Sequence, residues 1–275
     1  METLKSIFKF YVNSSIHVAL AICALVQITF LKLGTTDRYA FLLFSFLGSI
    51  AAYNFVKYSK VSKLHHRKLT RSMKGIRVLT ILCSVFFVYL AFKVPYDTLM
   101  YMLPFAALTV LYAVPVFPNK RNLRSVAGIK IFIIGLVWAG ATVLVPVVYV
   151  NGTFDFDFLI EIIQRFLFVV VLMLPFEIRD LQFDAETLET IPQKIGVTRT
   201  KVFGSILVVT FLLLTAVKDT LSLIEILSTI LVATITLLFL WGTERQQSKY
   251  YCSFWVESVP IMWLFIILIL QRLFS

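Results

Sequence analysis

The sequence predicts an all-α polytopic membrane protein with nine transmembrane helices in a single membrane-embedded domain spanning 1–275. Three observations predict it. Hydrophobic residues make up 59% of the 275 positions and charged residues only 15%, where a soluble domain of this length would be about a quarter charged. Apolar runs of about 20 residues, the length a helix needs to cross a bilayer, recur along the chain. Those runs are continuous rather than alternating, which argues against a β-barrel and leaves helices to satisfy the backbone in lipid.

The spans fall near 14–32, 39–57, 76–94, 98–116, 127–149, 157–176, 201–218, 221–241 and 254–273. The first follows Lys5 and Lys9 but precedes no small-residue cleavage site, so it reads as a retained helix. Pro95, Pro115, Pro118 and Gly152 punctuate the connections. Pro104, Pro146, Pro175 and Pro260 lie inside or near the ends of spans, where neighbouring helices tolerate them. The net charge is +11, and alternate loops hold most of it. Lys5 and Lys9, then the bases of 57–77, 120–124, 179–201 and 245–249, fall on one side. The other side has Lys32, Arg38, Lys93, Lys218 and Arg272. Topology therefore explains the charge without nucleic acid. It places the chain in the cell inner membrane, with the N-terminus cytoplasmic and the C-terminus external. The three cysteines, Cys23, Cys83 and Cys252, suggest no disulfide framework, and His17, His65 and His66 have no metal-site spacing.

The chemistry concentrates in PFEIRDLQFDAETLETIPQKIG, 175–196, directly after an apolar run. Glu177, Asp180 and Asp184 fall at i, i+3 and i+7, on one face if the sixth span continues as a helix. Like charges so placed repel, and a cation or basic partner between them relieves the repulsion. Carboxylates around Mg²⁺ are one common way to hold a diphosphate; a solvated acidic loop without a ligand is the plainer account.

This stretch resembles the second acidic motif of the UbiA superfamily of intramembrane prenyltransferases, D-x-x-D-x-x-x-D at the end of the sixth helix followed by T-[LI]-P…G. Glu177 replaces the first Asp, and Thr190, Ile191, Pro192 and Gly196 match the tail. The nine spans and their orientation are similar too. The resemblance implies a UbiA-like prenyltransferase fold. It also implies an enzyme that takes an isoprenyl group from a prenyl diphosphate to an aromatic or other lipophilic acceptor, with membrane lipids around it. Glu177, Asp180 and Asp184 would hold Mg²⁺, with Asp180 and Asp184 catalytic. Tyr112, Lys120 and Arg121 echo a Tyr and basic residues that members carry after the fourth helix, and the 26 Phe are ample material for lining an isoprenyl tunnel.

The first motif, N-D-x-x-D-x-x-x-D at the end of the second span, is degenerate. Asn54 is in place, but Phe55, Tyr58 and Ser62 occupy the aspartate positions, interleaved with Lys57, Lys60 and Lys63. Two readings follow. Lys57 or Lys60 holds the diphosphate beside a single Mg²⁺. Otherwise catalysis is lost, a lysine pairs with Asp180 or Asp184, and the scaffold serves as a non-catalytic isoprenoid- or partner-binding protein. A small secondary transporter ranks below both, because most acids cluster at the membrane boundary rather than at mid-membrane.

Other polar residues carry weaker expectations. The basic loop 57–77 either binds anionic headgroups or enforces topology. Lys130, near the start of the fifth span, contacts phosphate or snorkels. Arg165, deep in the sixth span, pairs with Glu161 one turn earlier. Glu257 has no local partner except Lys249, and its role stays open.

Overall fold

The computed structural model describes residues 2–35, 38–58, 71–116, 118, 122–183 and 186–274. Among these residues the regular structure is entirely helical. We number the helices α1 (Glu2–Asn13), α2 (Ile16–Lys32), α3 (Tyr39–Tyr58), α4 (Arg71–Ala91), α5 (Tyr96–Ala113), α6 (Lys130–Tyr149), α7 (Phe156–Asp180), α8 (Ile191–Ile195), α9 (Val197–Thr215), α10 (Leu223–Trp241) and α11 (Tyr251–Phe274). Each expected span coincides with one of them. Two carry π-helical turns, α6 at Gly140–Leu144 and α11 at Tyr251–Val256.

The span count is lower than expected. By length and composition 7 helices can cross a membrane, or 8 if α1 and α2, bent by 55°, form one span. The shortfall is α5, whose 18 residues include Asp97, Pro104 and the polar hydroxyls of Tyr96, Tyr101 and Tyr112.

Local chemistry sets the helix ends. Asp155 and Ser222 cap α7 and α10 by accepting from the amides of Phe158 and Glu225, filling donors that a helix start leaves open. Inside the bundle, hydroxyls bond back one turn, as Thr29 does to Leu25 O and Thr142 to Trp138 O. Other side chains reach a neighbouring helix, as Gln164 does to Phe211 O at 2.8 Å.

Packing neighbour to neighbour, the helices close a ring in the order α2, α3, α5, α6, α7, α9, α10, α11 and back to α2, with α4 against the outside of α3. The principal core gathers along α7, where Val169, Val170, Val171, Leu172 and Leu174 are buried against α2, α6, α9, α10 and α11. Helix α4 instead leaves Val78, Ile81, Leu82, Val85 and Phe86 exposed, the surface a lipid-facing helix presents. Small residues bring the helices close. At Gly140 a Cβ would meet the Phe105 ring at 2.0 Å, and at Gly204 it would meet Leu240 and Leu174 at 2.6 and 2.7 Å.

The two ends of the ring differ. At the end where α2 and α9 finish, hereafter the far end, fully buried Arg165 of α7 crosses the interior. It donates to Leu25 O at 2.9 Å and to the hydroxyls of Thr142 and Thr29 at 3.4 Å. Its ion pair with Glu161 has the expected i, i+4 geometry at 2.9 Å. The pair is not isolated. Glu161 also accepts from Lys32 at 2.6 Å and from Lys218 at 2.8 Å, and both lysines reach Glu225. Burial alone would lower the pKa of Lys218; the carboxylates of Glu161 and Glu225 outweigh it and hold the pKa above the ordinary value. The far end is thus laced shut across α2, α7, α10 and the α9–α10 loop.

This geometry ranks two substitutions. Glu161→Gln leaves Arg165, Lys32 and Lys218 facing one another and costs about 3–5 kcal/mol. Arg165→Met leaves Glu161 with two lysines and costs less. Thermal unfolding in detergent should place the Glu161→Gln midpoint below that of Arg165→Met, and the reverse order would contradict the network.

Candidate functional site

At the opposite end, where α3 and α7 finish, the sequence motifs come into view. Helix α7 continues past the apolar run to Asp180, so Glu177 and Asp180 lie one turn apart on it. Glu177 is buried; Asp180 is half-exposed and bound by the Nε of its neighbour Arg179 at 2.7 Å. The Arg179 guanidinium also lies over the Phe176 ring, 5.2 Å from its centroid. Asp184, Lys60, Lys120 and Arg121 lie outside the described residues. Among the described residues no group of three His, Cys, Asp or Glu side chains is placed to hold a metal ion.

The tail of the motif has a local explanation. Thr190 and Gln193 form a reciprocal capping box around the start of α8, and Pro192 occupies its first turn. Gly196, at φ +80°, both ends α8 and begins α9. The Thr-Ile-Pro…Gly pattern is therefore a two-helix joint that returns the chain into the bundle. The amide of Gly128 donates to Leu188 O at 3.0 Å, tying the α5–α6 connection to the acidic loop.

On α3, Asn54 is buried and its amide is spent on structure. It donates to Ser14 O at 3.0 Å and to the Thr80 hydroxyl at 2.9 Å, and accepts from Ser15 at 2.8 Å. It thereby joins the α1–α2 bend to α3 and α4. One turn on, Lys57 donates to Asn13 O at 3.0 Å while its side chain stays exposed. Tyr112 is buried in the last turn of α5, and the Tyr53 hydroxyl of α3 accepts from Trp138 Nε1 at 2.7 Å. Lys130 begins α6 and is half-buried.

The residue that links the two rims is Glu257, on α11. It is half-buried near the start of that helix. Tyr53 of α3, half-buried too, lies within electrostatic range of it. The two cations acting on Glu257 are Lys57 from α3 and Arg179 from α7. The ends of the second and sixth spans thus each bring a base into electrostatic range of the start of the last helix. A partnerless acid near the start of the last span was the visible signal for Glu257. Arg179 had no signal, being one base among many in a positive loop.

His17, in the first turn of α2, is buried beside this point. Its Nδ1 lies 2.7 Å from the Tyr11 hydroxyl and its Nε2 2.9 Å from Phe254 O. The carbonyl can only accept, so Nε2 carries the proton and Nδ1 accepts from Tyr11. With Ser258 also 3.1 Å from Nε2, the histidine clamps α1 and α2 to α11.

No family model matches the sequence, and no curated protein matches it. Two solved structures do match in three dimensions. An apo structure of a UbiA homolog from Aeropyrum pernix K1 has a TM-score of 0.61 at 15% identity, covering 94% of this chain and 98% of that one. A structure described as giving mechanistic insight into digeranylgeranylglyceryl phosphate synthase in membranes has a TM-score of 0.57 at 15% identity, covering 98% and 97%. The likeness spans the whole helical ring, so this integral membrane protein shares the fold of that UbiA homolog.

Proposed function

We propose that the rim formed by Lys57, Arg179, Glu257 and the acidic end of α7 binds the diphosphate of an isoprenyl diphosphate. The isoprenyl chain would run into the bundle beneath, past Tyr53 and Trp138. The reaction class is prenyl transfer to an aromatic or other lipophilic acceptor. One observation carries the reading: Lys57 and Arg179, bases from two different helices, both act on the acid Glu257 near one end of a ring with the superfamily fold. On this reading the rim faces the cytoplasm, with the N-terminus, in the cell inner membrane.

The residues fit one Mg²⁺ and not two. Glu177 and Asp180 offer carboxylate oxygens at the end of α7, with Asp184 following in the sequence, the donor chemistry that suits a hard cation. When bound there, Mg²⁺ would neutralise diphosphate charge. On the α3 side Asn54 is spent on structure, Phe55 offers no oxygen, and the hydroxyl of Tyr58 donates to Asn13 O. The chain's own contribution there is ammonium: Lys57 holds phosphate oxygens as a point charge.

A second reading, a non-catalytic isoprenoid- or partner-binding protein, is favoured by the ion pair that already occupies Asp180. Incubation with Mg²⁺, prenyl diphosphates and a membrane extract separates the two. Diphosphate release that EDTA abolishes supports the enzyme; its absence with every donor supports the binder.

Three variants test the site. Lys57→Met should weaken binding of geranylgeranyl diphosphate at least ~10-fold, the loss of a charge-assisted contact, with the unfolding midpoint unchanged. Asp180→Asn should weaken binding in Mg²⁺ but not in EDTA. Unchanged affinity in both variants removes the rim from the mechanism. Asn54→Leu should instead lower the unfolding midpoint, because it strands three buried partners at about 1–3 kcal/mol each at most.

A further inference from the structure

Helix α1 lies outside the ring, at the rim. The 17 residues of α2 are by themselves about the length of a span, and α1 turns away from them by 55°. Its sequence, ETLKSIFKFYVN, is two-faced. Leu4, Ile7, Phe8 and Tyr11 recur three and four apart on one side, while Lys5, Lys9 and Asn13 recur four apart on the other. The protein covers half of the apolar side. Phe8 stands edge-on to Tyr250 and Phe254, 5.0 Å between ring centroids in each pair, and Tyr11 meets His17. Leu4 and Ile7 stay 74% and 60% exposed.

Depth and charge together say what covers them. Phe254, against which Phe8 packs, also packs on Trp255, which is half exposed, as is Trp241 at the end of α10. Exposed tryptophans at helix ends mark the level where hydrocarbon gives way to headgroups. Lys5 and Lys9 are exposed. Phe10 abuts Gly75 of α4, where a Cβ would meet its ring at 3.2 Å, and Lys74 and Arg77 beside Gly75 are exposed too. Helix α4 contains no acid. The acids to set against these bases are Glu2, which the spacing puts with the lysines, and Glu257, within electrostatic range of Tyr11 but also of Lys57 and Arg179. The α10–α11 loop that leads to Tyr250 adds Glu244 together with Arg245 and Lys249. Bases thus outnumber acids around α1 among the described residues.

We propose that α1 is an in-plane anchor that binds the anionic surface of the membrane, with Leu4 and Ile7 at the acyl boundary and Lys5 and Lys9 on lipid phosphates. Helices of this pattern sink their apolar side into the headgroup–acyl boundary and gain affinity from anionic lipid. The neighbouring α4 already presents a bare lipid-facing surface, so the anchor continues it. The anchor is also tied to the rim: Asn13 O, at its end, accepts from Lys57 at 3.0 Å and from the Tyr58 hydroxyl at 2.9 Å. The proposal does not depend on what the rim binds.

The test uses the full chain in phosphatidylcholine vesicles, with a small fluorophore attached at Leu4→Cys or, on the other side of the helix, at Ser6→Cys. The wild-type chain treated alike supplies the background from Cys23, Cys83 and Cys252. The vesicles carry the same small fraction of acyl-brominated phosphatidylcholine or acyl-brominated phosphatidylglycerol. Both lipids should quench the label at Leu4→Cys and neither at Ser6→Cys. Phosphatidylglycerol should quench as though enriched ~5-fold or more, the contribution of about one lysine at an anionic surface. Lys5→Gln combined with Lys9→Gln should bring the two lipids to parity with the unfolding midpoint unchanged, since both side chains are exposed. No quenching by either lipid at Leu4→Cys overturns the proposal and leaves the bare side to water or to a protein partner. Equal quenching by the two lipids with both lysines present, or enrichment that survives their removal, overturns the assignment of anionic lipid to α1.

Discussion

Helix α7 governs the structure because it carries charge into a medium that does not tolerate charge left alone. Near one end Arg165 and Glu161 are buried among apolar side chains, and at the other Glu177, Arg179 and Asp180 follow directly on the core run Val169–Leu174. Each end must find partners on other helices, and the search fixes where those helices go. Arg165 reaches α2 and α6, and Glu161 takes lysines from α2 and the α9–α10 loop. At the other end Arg179 pairs with Asp180 and, like Lys57, lies within electrostatic range of Glu257. The same constraint thus seals one mouth of the ring and arms the other.

Much of this was legible in the sequence. The apolar runs located every long helix, because lipid imposes continuous hydrophobicity and a minimum length together. Glu161–Arg165 was legible because helical spacing alone brings the two side chains together. The acidic stretch and its Thr-Ile-Pro…Gly tail pointed to the end of α7, and the tail proved to be a capped joint whose residues are locally required. What stayed hidden was long-range. Lys32 and Lys218 counted as loop charges until the fold placed both on Glu161 and Glu225, and no spacing rule connects residues that far apart. Asn54 matched a motif position, yet its three hydrogen bonds depend on Ser14 and Ser15 of the α1–α2 bend and on Thr80 of α4. Of the nine expected spans, α5 is the one that falls short by length and composition once α1 and α2 are taken together, because it mixes apolar length with tyrosines, an aspartate and a proline.

The fold and the chemistry of the rim diverge in an informative way. The ring has the architecture of the UbiA homolog across nearly its whole length. On the α3 side, where the sequence resemblance leads one to expect carboxylates, Phe55, Tyr58 and Ser62 are interleaved with Lys57, Lys60 and Lys63. Bases on one side and acids on the other repel less than acids on both.

The amino-terminal helix has a mechanical consequence of its own. It turns by 55° at Asn13–Ile16 and is hooked to the last helix through Tyr11, His17 and Phe254, while Leu4 and Ile7 on its outer side remain bare. Any load on the first dozen residues, whether a neighbouring protein or an affinity tag, is levered onto the start of α11 and so onto Glu257. The carboxyl terminus, beyond the exposed Leu273 and Phe274, has no such linkage, and a handle attached there leaves that lever at rest.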